Sequence, residues 1–335
     1  MIVMKILRAV ALVTLMTAVP LVVPPKAMAQ QAVPANDAAL LRALQAPAGD
    51  ISGRISIPDR KAAVLQHPEG REWREFREGT LKAAAGGLLL AVVAGLALFY
   101  AVRGRIRIDA GPSGRTITRF GGLDRYAHWL TASSFIVLGL SGLNLIFGRT
   151  LVLPLVGPEA FATLTEIGKF AHNFLSFPFV LGIVLMFVLW VKDNIPNALD
   201  VAWISQAGGL FSKGKHPPAK RFNAGQKVIF WLVVLGGAAM SVTGYMLMFP
   251  FYATGVDGMQ LMHMLHALIA AVMVAGIIGH IYIGSVGMEG AFDAMGSGEV
   301  DVNWAREHHS LWLQEEMARQ GKGAKVQGGH VAPAE

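Results

Sequence analysis

Four histidines, His128, His172, His266 and His280, fall within or at the edges of apolar stretches whose interiors hold no Asp, Glu, Lys or Arg. A polar side chain at membrane depth is costly unless partnered, so its default reading is functional. One such His could simply bond a carbonyl on a neighbouring helix. Four of them invite a stronger reading, because paired imidazoles from different helices are what an iron porphyrin needs as axial ligands. With no cysteine in the chain, disulfides, thiolate-held iron-sulfur clusters, a Cys-x-x-Cys-His haem attachment and sulfur-based zinc sites are excluded. His266 and His280 are fourteen residues apart, which on a helix is about 40° short of four turns and about 21 Å along the axis. They share a face and could serve one iron near each membrane surface. His263 sits about 100° off that face and reads as an interfacial residue.

The chain that must position them has 335 residues, 53% hydrophobic and 15% charged, with a mean hydropathy of +0.48. That composition is an integral membrane protein's, not a soluble domain's. The net charge of +7 comes in short basic blocks between apolar stretches, which writes membrane topology and argues against nucleic-acid binding. Residues 1–29, with Lys5 and Arg8 ahead of an apolar run and Ala27-Met28-Ala29 at its close, read as a cleaved secretory signal. A polar exported segment, 30–81, follows, too poor in large apolar groups for a core of its own.

Five apolar segments, near 82–102, 126–147, 170–191, 228–248 and 260–286, are each long enough to span a hydrocarbon layer about 30 Å thick as an α-helix. The predicted fold class is an all-α integral membrane bundle: a four-helix core, 103–286, plus one extra N-terminal transmembrane helix, 82–102. The linkers 103–125 and 192–227 carry six Lys or Arg each, whereas 148–169 carries two and 249–259 none. The positive-inside rule therefore puts the first two in the cytoplasm with the tail 287–335, and the N-terminus outside. In that topology His128 and His280 share the inner level and His172 and His266 the outer one. Gly139 and Gly142 lie on the face of His128 and could clear space for a macrocycle, or merely pack helices, as Gly236, Gly237 and Gly244 also could. The end of the tail, Gln320 to Gly329, is expected to fray.

The blocks carrying these histidines resemble the cytochrome b (gamma) subunit of membrane-bound, quinone-linked formate dehydrogenase. The resemblance runs through Arg125-Tyr126-Ala127-His128-Trp129, Leu140-Ser141-Gly142, Phe170-Ala171-His172, Asp193-Asn194-Ile195-Pro196 and Phe222-Asn223-Ala224-Gly225-Gln226-Lys227. It continues at His266, His280-Ile281-Tyr282 and Trp304-Ala305-Arg306-Glu307-His308-His309, covering about residues 115–312. It implies two haem b groups, one on His172 and His266 and one on His128 and His280, with a quinone (menaquinone or ubiquinone) near His280 and the loop holding Asn223, Gly225 and Gln226. It also implies an iron-sulfur (beta) partner and a molybdenum or tungsten catalytic (alpha) partner, the chain itself carrying electrons to quinone and holding no catalytic side chain. Without the resemblance, Asn223 reads equally well as a helix N-cap.

Related subunits serve hydrogenases and thiosulfate or other molybdoenzyme reductases, which is the alternative within the class. Outside it stand a histidine-lined ion transporter, which would need carboxylates the spans lack, and a passive anchor. Trp304, His308 and His309 are expected at the surface or against a partner.

Overall fold

The computed structural model describes residues 68–212 and 214–327. The expected signal 1–29 and most of the segment 30–81 lie outside the described residues. Among the described residues, five helices are long and apolar enough to cross a membrane: Glu72–Arg103, Gly122–Leu151, Pro158–Asn194, Ala224–Met248 and Val256–Gly287. They make this an all-α integral membrane bundle, multi-pass as its hydropathy requires.

Several helices begin earlier than their apolar runs. Helix covers Pro68–Glu75 and continues through a π-turn at Phe76–Leu81. From Trp73 to Leu81 the helix runs directly into the first span. The third span begins at Pro158, after Gly157 at φ 80°, which only glycine adopts freely. Most of the expected outer connection 148–169 is consequently helix. Caps set these ends, and caps are polar, so hydropathy alone stops short of them.

The second and third spans pack along each other, as do the fourth and fifth, the third and fourth join the two pairs, and the first span lies against the fifth. Only 6% of the first span's apolar window is buried, against 28% for the third and fourth, which makes it peripheral and its Leu90, Leu98 and Val102 lipid-facing. Phe179, Ile183, Met186 and Trp190 repeat at helical spacing on the third span and pack with Phe230, Val233, Val234 and Met273. Met273, 1% exposed, stands seven residues from both His266 and His280. A Cβ on Gly236 would meet its sulfur at 3.0 Å, and one on Gly237 would collide with Ile183. These two glycines are packing residues of the middle layer.

One end of the bundle is closed by chain. Ile106 bridges Met288, and β1 (Thr116–Thr118) pairs antiparallel with β2 (Glu299–Asp301). Glu307 accepts from the backbone N–H groups of Asp109 (3.0 Å) and Ala110 (2.9 Å), while Asp109 pairs with His216 at 3.0 Å. Both Lys- and Arg-rich linkers and the tail thus lie at the same end.

Trp304 and His309, for which the sequence suggests the surface or a partner contact, are 3% and 0% exposed and pack within the chain. They pack on Arg119, whose guanidinium lies 5.2, 5.5 and 5.0 Å from the ring centres of Phe120, Trp304 and Trp312. Cation–π attraction replaces the partners that Nε and Nη1 lack. Burial, with the Arg221 charge second, pulls this guanidinium down to about 9. His309 donates from Nδ1 to Lys220 O (2.8 Å) and accepts at Nε2 from Arg119 (3.0 Å), an arrangement only a neutral imidazole can make. The helix following it runs through Gln327, where fraying was expected.

Burial also depresses His308, to about 4, and holds His309 well below 6.5. Both are neutral when folded, whereas the opened chain protonates them near 6.5, so the open state binds more protons between pH 6.5 and about 4. Tail docking is therefore fully stable above pH 6.5 and weakens as pH falls through that window. Limited proteolysis of the tail is expected to accelerate between pH 6.5 and 4.5, and His308→Gln to flatten that dependence.

Candidate functional site

The structure brings the four membrane histidines together as two pairs. His128, from the start of the second span, faces His280 from the end of the fifth, with ring centres 6.1 Å apart and planes at 59°. His172 of the third span faces His266 of the fifth at 6.3 Å and 60°. Imidazole nitrogens bind metals at about 2.0–2.1 Å and lie about 1.1 Å from their ring centre, so two rings in line across one metal have centres about 6.3 Å apart. Both pairs match that separation. His263 is exposed and joins neither.

The pair His172–His266 is held by hydroxyls. His172 Nδ1 meets Ser141 Oγ at 2.8 Å, and His266 Nδ1 meets Thr243 Oγ1 at 2.9 Å. Each hydroxyl donates its own proton to a carbonyl one turn back, Ser141 to Val137 (2.6 Å) and Thr243 to Ala239 (2.8 Å). It must therefore accept from Nδ1–H, which leaves Nε2 unprotonated, the form that ligates a metal. Beside each hydroxyl is a glycine: a Cβ on Gly142 would lie 3.7 Å from His172 Cε1, and one on Gly244 only 3.2 Å from His266 Cε1. Ser141-Gly142 and Thr243-Gly244 are thus matching ring seats on the second and fourth spans. Sequence reasoning weighed the glycines and overlooked the hydroxyls; the repeated hydroxyl-glycine dipeptide was the available signal. Gly139 instead approaches Val274 at 3.8 Å.

Because the Gly244 seat is tight, Gly244→Leu is expected to tilt His266 and strip most of its pair's ligating capacity. Gly142→Ala, with ordinary contact distance to spare, should be silent. Haem content by pyridine haemochrome in the purified variants distinguishes the two.

At the closed end, Asn223 caps the fourth span: its Oδ1 accepts from Gln226 N (2.9 Å) and Gln226 Oε1 accepts from Asn223 N (3.1 Å). This capping box commits both side-chain carbonyls and leaves both NH₂ groups free of the cap. Gly225 packs on Trp203, where a Cβ would come within 3.0 Å. A small cleft beside the cap is lined by Asn197, Asp200, Trp203, Phe222, Asn223 and Lys227, among others.

Residues 119–298, over half of the chain and everything from β1's end through the fifth span, match the family described as prokaryotic cytochrome b561. The chain belongs to the prokaryotic cytochrome b561 family. Haem b is accordingly the cofactor of this cytochrome, and the two imidazole pairs, with their seats and their ring separations, fit it. The cytochrome is 28% identical over 206 residues to the nitrate-inducible formate dehydrogenase cytochrome b556(Fdn) subunit of Escherichia coli (strain K12), covering 60% of this chain and 92% of that protein. It is 26% identical to the cytochrome b556(fdo) subunit of formate dehydrogenase from the same organism, over 60% and 93% of the two chains. Against the formate dehydrogenase cytochrome b556 subunit of Haemophilus influenzae it is 26% identical, over 58% and 80%. The two Escherichia coli relatives are matched over more than nine-tenths of their length, while two-fifths of this chain stays unmatched by them.

Proposed function

We propose that this cytochrome is the dihaem b membrane subunit of a formate dehydrogenase complex, passing electrons across the bacterial inner membrane to quinone. The observation that carries the reading is the presence of two separate imidazole pairs, at 6.1 and 6.3 Å, on opposite sides of the Met273 layer. His172 and His266 would hold one haem and His128 and His280 the other; haem b supplies reversible one-electron transfer when bound. The names of the relatives favour formate over hydrogen or thiosulfate as the electron source.

In this reading the closed end, with its basic linkers, faces the cytoplasm, and 103–286 is the dihaem domain. The signal 1–29, the exported segment from 30 and the first span form an extension ahead of it. The iron-sulfur (beta) and molybdenum or tungsten (alpha) subunits dock at the opposite, periplasmic end. Quinone binds near His280 and the Asn223–Gln226 cap, where the Asn223 and Gln226 NH₂ groups donate to a quinone carbonyl without adding charge. Gly225 keeps the Trp203 wall close. Moving each electron inward works against the membrane potential by about 2.3 kcal/mol per 100 mV.

The test is to purify the complex through a tag on this chain and assay formate-dependent quinone reduction. Formate-reducible b-type absorbance with two haems per chain is the expected result. Co-purification with a hydrogenase, or formate-to-quinone activity retained in membranes lacking this chain, would overturn it.

A further inference from the structure

The two imidazole pairs are not supported alike. Ser141 and Thr243 accept from the Nδ1–H groups of His172 and His266, and both hydroxyls are themselves polarised by donating to carbonyls. His128 Nδ1 is buried and has no partner, and His280 has no hydrogen-bonded side-chain partner among the described residues. Thr131, one turn beyond His128, gives its hydroxyl to Ala127 O and is packed against Gly182 instead of reaching the ring.

An acceptor on the remote nitrogen raises the basicity of an imidazole ligand, and a more basic ligand favours the oxidised iron. We propose that Ser141 and Thr243 are positioning residues that make the His172–His266 site the lower-potential of the two, so that the bundle carries a built-in downhill step toward His128–His280. Each transfer takes one electron from the first site and gives it to the second, with no bond made or broken and no proton moved. The device is local: two hydroxyls on two spans act on one site, and the other site lacks them. The step also has a direction that suits quinone reduction at the closed end. This inference rests on the ligand assignment proposed above.

Spectroelectrochemical titration of the purified, haem-loaded complex tests it. In the parent protein two b-type components should titrate separately, and His172→Ala should delete the lower one. Ser141→Ala or Thr243→Val should each raise the reduced-to-oxidised ratio of that component, at a fixed applied potential, by about threefold, and the double variant by about tenfold, or about 59 mV for one electron. The other component should not move. Ser141→Thr and Thr243→Ser, which keep a hydroxyl, should titrate like the parent. Should Ser141→Ala shed its haem, Thr243→Val reads the same shift from the opposite ligand. Unchanged midpoints with both haems retained, or loss of the higher component in His172→Ala, would overturn the proposal while leaving the ligands in place. Both components surviving His172→Ala would overturn the ligand assignment itself, and the proposal with it.

Discussion

His266→Ala is expected to cut the haem content of the purified complex from about two per chain to about one and to abolish formate-to-quinone turnover. Haem held between two helices needs both axial rings, because a single imidazole leaves the second face of the iron open and the macrocycle without its clamp. No neighbour can substitute. His263 is one turn away in sequence but exposed and off the face, so it cannot swing to the Thr243-Gly244 seat, and His263→Ala should be silent on the same assay. The loss should also be selective: His128 and His280 lie about 21 Å away along the fifth span, beyond the buried Met273 layer, and their absorbance should persist and remain reducible by dithionite. A variant that keeps both haems, or that loses both together, would break the assignment of independent sites.

That the pairs could be anticipated at all follows from contrast. An imidazole in a run of Leu, Val and Ala stands out, and the fourteen residues from His266 to His280 return to the same helix face. Depth then sorts four rings into two levels without any knowledge of side-chain packing. Other features offered no such contrast. Ser141 and Thr243 bond to their own helices as hydroxyls in membrane helices commonly do, and nothing in their spacing reveals that a histidine of the next span completes them. β1 and β2 are three residues each, too short for a period of two to register, and their pairing joins residues about 180 positions apart. Trp304 and His309 read as surface or partner-contact residues because a polar tail is ordinarily solvated. Their burial depends on Arg119, a residue that reads as one more basic linker charge until its aromatic neighbours are in place. Asn223 and Gln226 show the converse case: the Asn-x-x-Gln spacing of a capping box is local, and the cap is formed as that spacing requires.

Lys227→Met is expected to be the most destabilising single change at the closed end, by about 3–5 kcal/mol. Lys227 is the last residue of the Phe222–Lys227 block and is 5% exposed. Its ammonium donates to Asp200 at 2.9 Å and to the carbonyl of Ile195 at 3.0 Å. Asp200 is itself committed, accepting from Asn197 N at 2.7 Å as part of a second capping box. Removing the lysine leaves a carboxylate with 13% side-chain exposure and no counter-charge, and frees the turn that carries Ile195 and Pro196. Asp200→Asn in the same chain removes that orphaned charge while keeping an acceptor for Asn197, so the double variant should regain much of the loss. The Asp200→Asn single variant leaves an unpaired ammonium and should resemble Lys227→Met. Thermal unfolding in detergent, followed by loss of the Soret band, reads all three, and additive penalties in the double variant would show that the two charges do not interact. In the proposed reading quinone lies beside this pair, which lines the cleft next to Asn223, so Lys227→Met should also raise the KM for quinone in variants that still fold. The Lys227→Met/Asp200→Asn chain, with the wall rebuilt but uncharged, then separates the two roles: recovery of stability without recovery of KM would assign the ammonium to the quinone and not merely to the fold.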